Sequence, residues 1–192
     1  MYTRTQLIRK LRCPDNKLVL QAVEELRVRG WLSDGTLRGV ALCHAQLQGA
    51  DLMSADLRGV DFHQAHLEWA DLSMADLSGA KLSRAHLCGA NLDHARLSEA
   101  DLFKANLKKA RNLRDTQLVR ARRLWGAIMP DGETYDGRYN LPGDLEFARQ
   151  SGVEVEDAQA MADFHRVSLE TYLHGQELAE KALFPEAINK AA

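Results

Sequence analysis

The 192-residue sequence contains little that would place it among secreted, membrane-spanning or strongly charged proteins. Its three cysteines are odd in number and scattered, which argues against a disulfide framework and predicts free thiols in a reducing cytoplasm. No apolar run approaches the ~20 residues that span a bilayer, so no membrane association is expected. The net charge of −2, from 25 basic and 27 acidic residues, makes direct nucleic-acid binding unlikely as a general property. The basic segment 1–12 is followed by no apolar run and is not interpreted as a signal peptide.

The sequence also lacks the short motifs that carry common enzymatic chemistries. It contains no phosphate-cradling glycine loop, no zinc-binding helix motif and no nucleophile elbow. Residues 131–137 resemble a calcium loop only faintly, because the acidic spacing and the terminal glutamate are absent. We therefore predict a protein that is not an enzyme and that uses no cofactor and no metal.

What the sequence does contain is an unbroken internal repeat over residues 35–109. Leucine, replaced once by phenylalanine, recurs at every fifth position, and alanine stands two residues before nearly every one of them. A repeat of this kind is interpreted before any single segment, because it determines the architecture. The predicted core residues are Leu37, Leu42, Leu47, Leu52, Leu57, Phe62, Leu67, Leu72, Leu77, Leu82, Leu87, Leu92, Leu97, Leu102 and Leu107.

A period of five fits neither a helix nor a continuous strand. On a helix, steps of five times ~100° would spread the leucines around the whole cylinder. On a strand, the odd period would send alternate leucines to opposite faces. The chain must therefore turn once per repeat, so that each alanine–leucine pair points inward and the residue between them points outward. Gly39, Gly59 and Gly79 lie twenty residues apart and hint at four repeats per coil, although Glu99 interrupts that column.

This pattern resembles the pentapeptide-repeat family, whose motif is alanine, then aspartate or asparagine, then leucine and two variable positions. The resemblance implies a mainly β fold, namely a right-handed quadrilateral β-helix, or β-solenoid, with short α-helical segments at both ends. Aspartate or asparagine fills the second motif position in 8 of 15 units, which are those of Asp51, Asp56, Asp61, Asp71, Asp76, Asn91, Asp101 and Asn106.

The N-terminal segment 1–34 does not follow the repeat and predicts a helical cap. Two short helices fit it. Asp15 or Asn16 can cap the second, which runs from Lys17 to Arg29 and stops at Gly30. A solenoid needs such a cover, because its first coil has no stacking neighbour on one side. A small DNA-contacting unit is the alternative, given the basic residues in this segment.

The C-terminal part of the chain loses the strict period. After residue 110 the leucine spacing takes two steps of six, so the predicted solenoid, 35–129, becomes irregular before it ends at a turn signal. Residues 130–192 predict a turn region followed by helices, the last of which ends near Phe184 and Pro185. These helices are expected to cap the solenoid or to form a homodimer.

Charge and exposed apolar residues indicate where a partner would bind. Residues 96–123 hold nine basic and three acidic groups, whereas residues 124–192 hold five basic and thirteen acidic groups. We expect the acidic C-terminal helices to lie beside the basic last coils, with phosphate contact as the alternative. The repeat also places Met53 and Phe103 on the outside. The candidate partner-contact residues are Trp69, Met74, Arg96, Lys104, Lys108, Lys109, Arg122 and Arg123.

Two pairs of polar residues stack on successive coils if a coil holds four repeats. Asp56 and Asp76 would form a carboxylate pair on a convex wall, where solvent screens them and catalysis is not expected. His66 and His86 would need converging third and fourth ligands to bind a metal, and no residue at the same spacing supplies them. We interpret the two histidines as part of a polar ladder.

The sequence supports two functional hypotheses. The first is a cytoplasmic, non-enzymatic scaffold that binds an unidentified protein partner, because a filled solenoid offers long outer columns of side chains and no internal cavity. The alternative comes from the family resemblance, which includes DNA mimics that bind type II topoisomerases and inhibit or protect them. Such members present a strongly acidic rod, whereas residues 35–109 carry eight basic and nine acidic groups.

Overall fold

The computed structural model describes residues 2–183, and at its centre residues twenty positions apart lie side by side. Parallel bridges join Ala41 to Asp61 and continue in steps of five to the bridge between Asn91 and Arg111. Since each repeat has five residues, four repeats make one coil. The period that the glycine column hinted at is therefore confirmed.

Each repeat turns at a corner residue that has a positive φ. Ala45 N donates to Leu42 O at 3.1 Å and closes a turn across His44, whose φ is 58°. Glycine occupies this corner in some repeats, but tryptophan, methionine, arginine and lysine occupy it in others. For a residue other than glycine, this backbone conformation costs roughly 1–2 kcal/mol. The bonds between stacked coils must therefore outweigh strain at many corners.

The leucine and alanine positions fill the interior of the coil. The predicted core residues, from Leu37 to Leu107, are at most 2% exposed, and the motif alanines from Ala45 to Ala105 are at most 3% exposed. Alanine fits these positions because several walls converge on a narrow axis, where a larger side chain would overpack the core. The coil therefore offers partners its outer walls.

The expectation of a mainly β chain needs a correction. Within residues 2–183 each bridge of the coil joins a single pair of residues, and no continuous strand forms. The reason is geometric, because a turn in every five residues leaves each wall shorter than an ordinary strand. The described chain is a stack of coils joined by single-residue bridges, with helices near its ends.

Two helices pack over the first coil. These are α1 (Arg4–Lys10) and α2 (Asn16–Val28), and Asp15 caps α2 by accepting N–H groups from its first turn. The buried leucines and valines of both helices belong to the same apolar core as the leucines of the coil. Burial of an apolar helix face against the coil is what stabilises such short helices.

Side chains of this cap also replace the hydrogen bonds that a preceding coil would supply. In later coils a carbonyl accepts a backbone N–H from the coil before it, as Asp61 O does from Leu42 N at 2.7 Å. The first coil has no such donor, and a buried carbonyl without one would be costly. The replacements are Arg12 Nε to Ala41 O at 2.9 Å, Asn16 Nδ2 to Gln46 O at 3.0 Å and Arg27 Nη2 to Asp51 O at 2.7 Å.

The short helix α3 (Asp115–Leu118) absorbs the two extra residues that the leucine spacing revealed. Beyond it, the bridges join residues 22 apart, as between Asp101 and Arg123, and the coil continues to Ile128. At the interruption the side chain of Gln117 donates to Leu92 O and Ala95 O, at 2.9 Å and 2.8 Å. The side chain of Gln117 thus supplies a donor to the Ala95 carbonyl and a second donor to the Leu92 carbonyl, which also accepts the N–H of Ala95 at 3.1 Å.

Three further helices follow the last coil, namely α4 (Pro142–Gln150), α5 (Ala158–His165) and α6 (Leu169–Leu183). The first of them closes the open C-terminal edge. Gly143 N donates to Arg122 O, and the carboxylate of Asp144 accepts the N–H groups of Leu124 and Trp125. The helix end predicted at residues 184–185 lies outside the described residues. Across residues 2–183, no helix is both long and apolar enough to cross a membrane.

We expect Asn16→Ala to lower the free energy of unfolding by about 1–2 kcal/mol, because it removes donors from the half-buried carbonyls of Gln46 and Gln48. Urea unfolding followed by circular dichroism measures the change. Gln21→Ala, an exposed position on the same helix, is the matched control. Equal stability of the two variants would contradict the capping role of Asn16.

Candidate functional site

The outward positions of the repeat form four columns, one on each wall of the coil. Most acidic side chains in these columns have a basic neighbour on an adjacent coil or on the cap. Such surface pairs contribute little stability, but they leave the walls mixed in charge. The pairs are Asp51 with Arg27, Asp56 with Arg38 and Arg58, Asp61 with Lys81, Asp76 with Arg96, and Asp101 with Arg123.

A shallow groove of about 660 Å³ lies on the wall that carries Asp56 and Asp76. Asp56 is only 8% exposed, and its carboxylate accepts hydrogen bonds from Arg38 and Arg58 at 2.7 Å and 2.9 Å. Arg58 also lies 3.8 Å from Asp76, so guanidinium groups hold both carboxylates. The arrangement is typical of structural ion pairing, as expected for this convex wall. Met74 and Arg96, both predicted contact residues, line the groove.

Trp69 and Met74 occupy two consecutive corners of one coil and are strongly exposed. Their exposed fractions are 60% and 64%, and their φ angles are 61° and 58°. Trp69 lies flat over Gly89 on the next coil, where an added Cβ would come within 2.4 Å of the indole ring. The indole therefore packs against the backbone of Gly89. Met53 is 44% exposed, so this side of the coil presents several apolar side chains.

The basic residues of the last coils do not form one free surface. Arg123 pairs with Asp101 and lies over the ring of Phe103, and Arg122 approaches Glu146 of α4 at 3.7 Å. Lys104 lies about 5 Å from the centres of two aromatic rings, those of Phe103 and Trp125. Lys108 and Lys109 are exposed. The acidic C-terminal helices do contact this segment, but ion pairing supplies only part of the contact.

An aromatic cluster joins the last coil to the C-terminal helices. Trp125 stacks on Phe103 at 5.5 Å and meets Phe147 of α4 and Phe164 of α5 at 5.1 Å and 5.6 Å. Phe103 projects from the outer wall, where the repeat places it, but Trp125 on the next coil and Phe147 of α4 pack against it and leave it half-buried. The repeat does not predict that α4 packs there, because α4 lies outside the repeat.

Two buried titratable groups lie at the same junction. Asp144 is 1% exposed, and burial raises its pKa to about 7, although the N–H groups of Trp125 and Leu124 act in the opposite direction. His165 is 4% exposed, and burial lowers its pKa to about 4, against the opposite effect of Asp136. Its ring packs edge-on against Tyr135 and Phe164. The sequence did not single out either residue, because only the docking of α4 and α5 buries them.

The structure adds a residue to the predicted histidine ladder. His66 and His86 stack with ring centres 4.6 Å apart, as the spacing predicted. Glu68 places Oε1 at 3.2 Å from His66 Nδ1 and 3.9 Å from His86 Nδ1. The expectation that no third ligand converges there was therefore wrong. The search for ligands followed the same motif position on each coil, whereas Glu68 reaches the histidines from two positions further along its own coil.

Comparison with known proteins gives the family. A profile described as pentapeptide repeats, in eight copies, matches residues 37–73 and 70–108. The chain belongs to the pentapeptide-repeat family. No curated protein matches it.

Three solved structures are among those most similar to the chain. HetL of the cyanobacterium Nostoc sp. strain PCC 7120, a protein involved in heterocyst differentiation regulation, is 39% identical over 50% of this chain and 43% of its own, with a TM-score of 0.43. A pentapeptide repeat protein of the Arabidopsis thaliana thylakoid lumen is 30% identical over 56% and 58%, with a TM-score of 0.38. The Nostoc protein alr5209 is 38% identical over 48% and 80%, with a TM-score of 0.26. The chain thus spans about half the length of the first two, and the repeats carry the likeness.

We expect Gly89→Ala to destabilise the protein more than Gly79→Ala. Both glycines have a positive φ, so each alanine pays roughly 1 kcal/mol or more for its backbone conformation. An added Cβ meets nothing within 4 Å at Gly79 but strikes Trp69 at Gly89, which adds about 1–3 kcal/mol of overpacking. Chemical unfolding of both variants measures the difference. Equal losses of stability would show that the indole does not rest on Gly89.

The junction predicts two opposite pH dependences. A lowered pKa of His165 means that its contribution to stability is present above pH 6.5 and is lost as the pH falls towards about 4. A raised pKa of Asp144 means that its contribution is present below pH 3.8 and is lost as the pH rises towards about 7. The stability lead of the wild type over His165→Phe should therefore grow from pH 4 to 6.5, and its lead over Asp144→Asn should shrink from pH 4 to 7.

Each change is expected to amount to about 1–3 kcal/mol and is measured by urea unfolding at a series of pH values. Taking differences from the wild type cancels the groups that the variants share. His174→Phe is the control, because this histidine is exposed on α6 and solvated in both states. Parallel pH profiles for all four proteins would contradict the assignment of buried Asp144 and His165.

Proposed function

We propose that this protein is a non-enzymatic interaction protein that binds a protein partner on the outer wall of its coil. The observation that carries the proposal is the groove of about 660 Å³ with Met74 on its lining and Trp69 one corner away. We call residues 69–76 and 89–96 the contact wall. Exposed aromatic and methionine side chains beside polar groups are typical of surfaces that bind proteins.

The chemistry of the contact wall suggests the kind of segment that binds there. Met74 and Trp69 offer apolar anchors, and Trp69 is held in place by its contact with Gly89. Arg96 is 75% exposed and lies 3.6 Å from Asp76, a weak pair that leaves its guanidinium free to bind a second carboxylate. We therefore propose a partner segment that carries an apolar side chain next to an acidic one.

The charge pattern favours this reading over a DNA mimic that binds a type II topoisomerase. A mimic needs a continuous negative surface. In one column of this coil Asp61 and Asp101 alternate with Lys81 and Arg123, and the column of Asp56 and Asp76 continues with Arg96. Five of the column aspartates have a basic partner within ion-pairing distance, which gives the walls a mixed character. If this protein binds a topoisomerase, the binding would use the apolar contacts of the contact wall and not a DNA-like negative surface.

Three finer features also belong to the proposal. From the family, we propose that the coil is a right-handed quadrilateral β-helix, and we propose that the protein acts in the cytoplasm. Homodimer formation through the C-terminal helices stays a prediction. On α6, Leu173 and Leu178 are 46% and 40% exposed and would be the first residues to examine in such a contact.

The double variant Trp69→Ser and Met74→Ser tests the contact wall by quantitative affinity capture from a lysate. Serine removes both apolar anchors, and Ser54 already adopts a similar positive φ at another corner of the coil. The fold should therefore persist. Arg84→Ser with Glu99→Ser is the matched control, because it changes two corners in the other columns. We expect at least one partner that the wild type and control retain and that the test variant loses by about tenfold, since two anchors at ~1 kcal/mol or more each are removed.

Mass spectrometry of the captured proteins identifies the partner. Retention of every partner by the test variant would move the binding surface away from Trp69 and Met74. A type II topoisomerase that all three proteins retain equally would favour the mimic. Capture of nothing by the wild type would contradict the interaction function itself.

A further inference from the structure

We propose that His66, Glu68 and His86 form a binding site for one divalent transition-metal ion. The site lies on the second wall of the coil, two walls away from the groove, and nothing in the proposed interaction function requires it. Three ligand atoms, one from each residue, lie within 4.8 Å of one another. Two imidazoles and one carboxylate are a ligand set that suits Zn²⁺, Co²⁺ and Ni²⁺ better than Mg²⁺ or Ca²⁺.

The distances are close to those of a metal site before any movement. In a tetrahedral zinc site with bonds of about 2.0–2.1 Å, neighbouring ligand atoms lie about 3.3 Å apart. Glu68 Oε1 lies 3.2 Å from His66 Nδ1, which already fits, and 3.9 Å from His86 Nδ1, which requires a shift of about half an ångström. One carboxylate oxygen thus stands next to both imidazoles.

The coil holds the two imidazoles in register. His66 and His86 form a parallel bridge, and His86 O accepts the N–H of Leu67 at 2.8 Å. Leu67 and Leu87, which follow the histidines, are both fully buried, so the backbone at each ligand is anchored in the core. The rings are parallel within 10°, so they must tilt towards each other to bind one ion, because the lone pair of each ring nitrogen lies in the plane of its ring. A site carried by a regular, packed backbone loses little conformational entropy on binding.

One carboxylate oxygen of the cluster, Glu68 Oε2, is buried and has no hydrogen-bond partner among the described residues. Such a buried acceptor is costly unless something binds it. A metal ion that both carboxylate oxygens of Glu68 bind supplies the partner that Oε2 lacks. The side chains remain 25–46% exposed, so an ion has access and water completes its coordination.

Isothermal titration of the metal-free full chain, without a histidine tag, tests the site directly. We expect Zn²⁺ and Co²⁺ to bind with a stoichiometry of one, whereas Mg²⁺ gives no binding. His66→Gln, Glu68→Gln and His86→Gln should each weaken binding by about tenfold or more, since each removes one of three protein ligands. Zn²⁺ should raise the melting temperature of the wild type and leave those of the variants unchanged.

Two controls separate this site from other ligands on the chain. His44→Gln changes a second pair of histidines, His44 and His63, whose rings are perpendicular at 6.2 Å. Cys88→Ser removes the thiol two residues after His86, the position on the next coil that corresponds to Glu68. Both controls should bind Zn²⁺ as the wild type does, and circular dichroism of the metal-free variants should show an unchanged fold.

The outcomes that would overturn the proposal are distinct. They are absence of stoichiometric binding, binding that survives all three ligand variants, and loss of binding in Cys88→Ser, which would assign the ion to a thiolate.

Discussion

The whole structure depends on one interaction, the backbone pairing of residues twenty positions apart on stacked coils. In the regular part of the coil a bridged residue donates its N–H to the preceding coil and accepts one through its C=O, as Asp61 does with Val40 and Leu42. This pairing fixes the leucines and alanines on the inside and the column residues on the outside. It also holds corners such as that of Trp69 at a positive φ, a conformation that tryptophan does not favour. The hydrogen bonds between coils and the packed core recur in every repeat, and together they outweigh the φ preference of the corner residues.

A stack of this kind has two edges. The segments before and after the repeat close them. Side chains of α2 and its preceding loop donate to the free carbonyls of the first coil. At the other edge the carboxylate of Asp144 accepts two backbone N–H groups, and Tyr135, Tyr139 and Leu141 continue the apolar core beyond the last coil. Burial of Asp144 and His165 follows from this closure, and so does their perturbed titration. Of the C-terminal helices, α4 closes the C-terminal edge of the coil through Gly143 and Asp144.

Function is then a property of what the walls present. The columns bring side chains from distant repeats together at the spacing of a parallel bridge, which produces ion pairs, stacked histidines and a groove beside exposed Met74. The same regularity places the groove beside Met74 and the histidine cluster on opposite walls of the coil. Each wall is an independent surface, because the core between them is filled with leucine and alanine.

The sequence alone determined the repeat, the inward and outward positions, the helical ends and the stacking of His66 on His86, because a strict period transmits a local rule through the chain. It also showed, through the leucine spacing, that two residues were inserted after residue 110. Only the tertiary structure decided that no strand forms, that Glu68 reaches both histidines, that Phe103 is covered and that Asp144 and His165 are buried. These features depend on side chains that leave their own column or on helices that dock against the last coil. Such contacts join positions that the period of five does not relate.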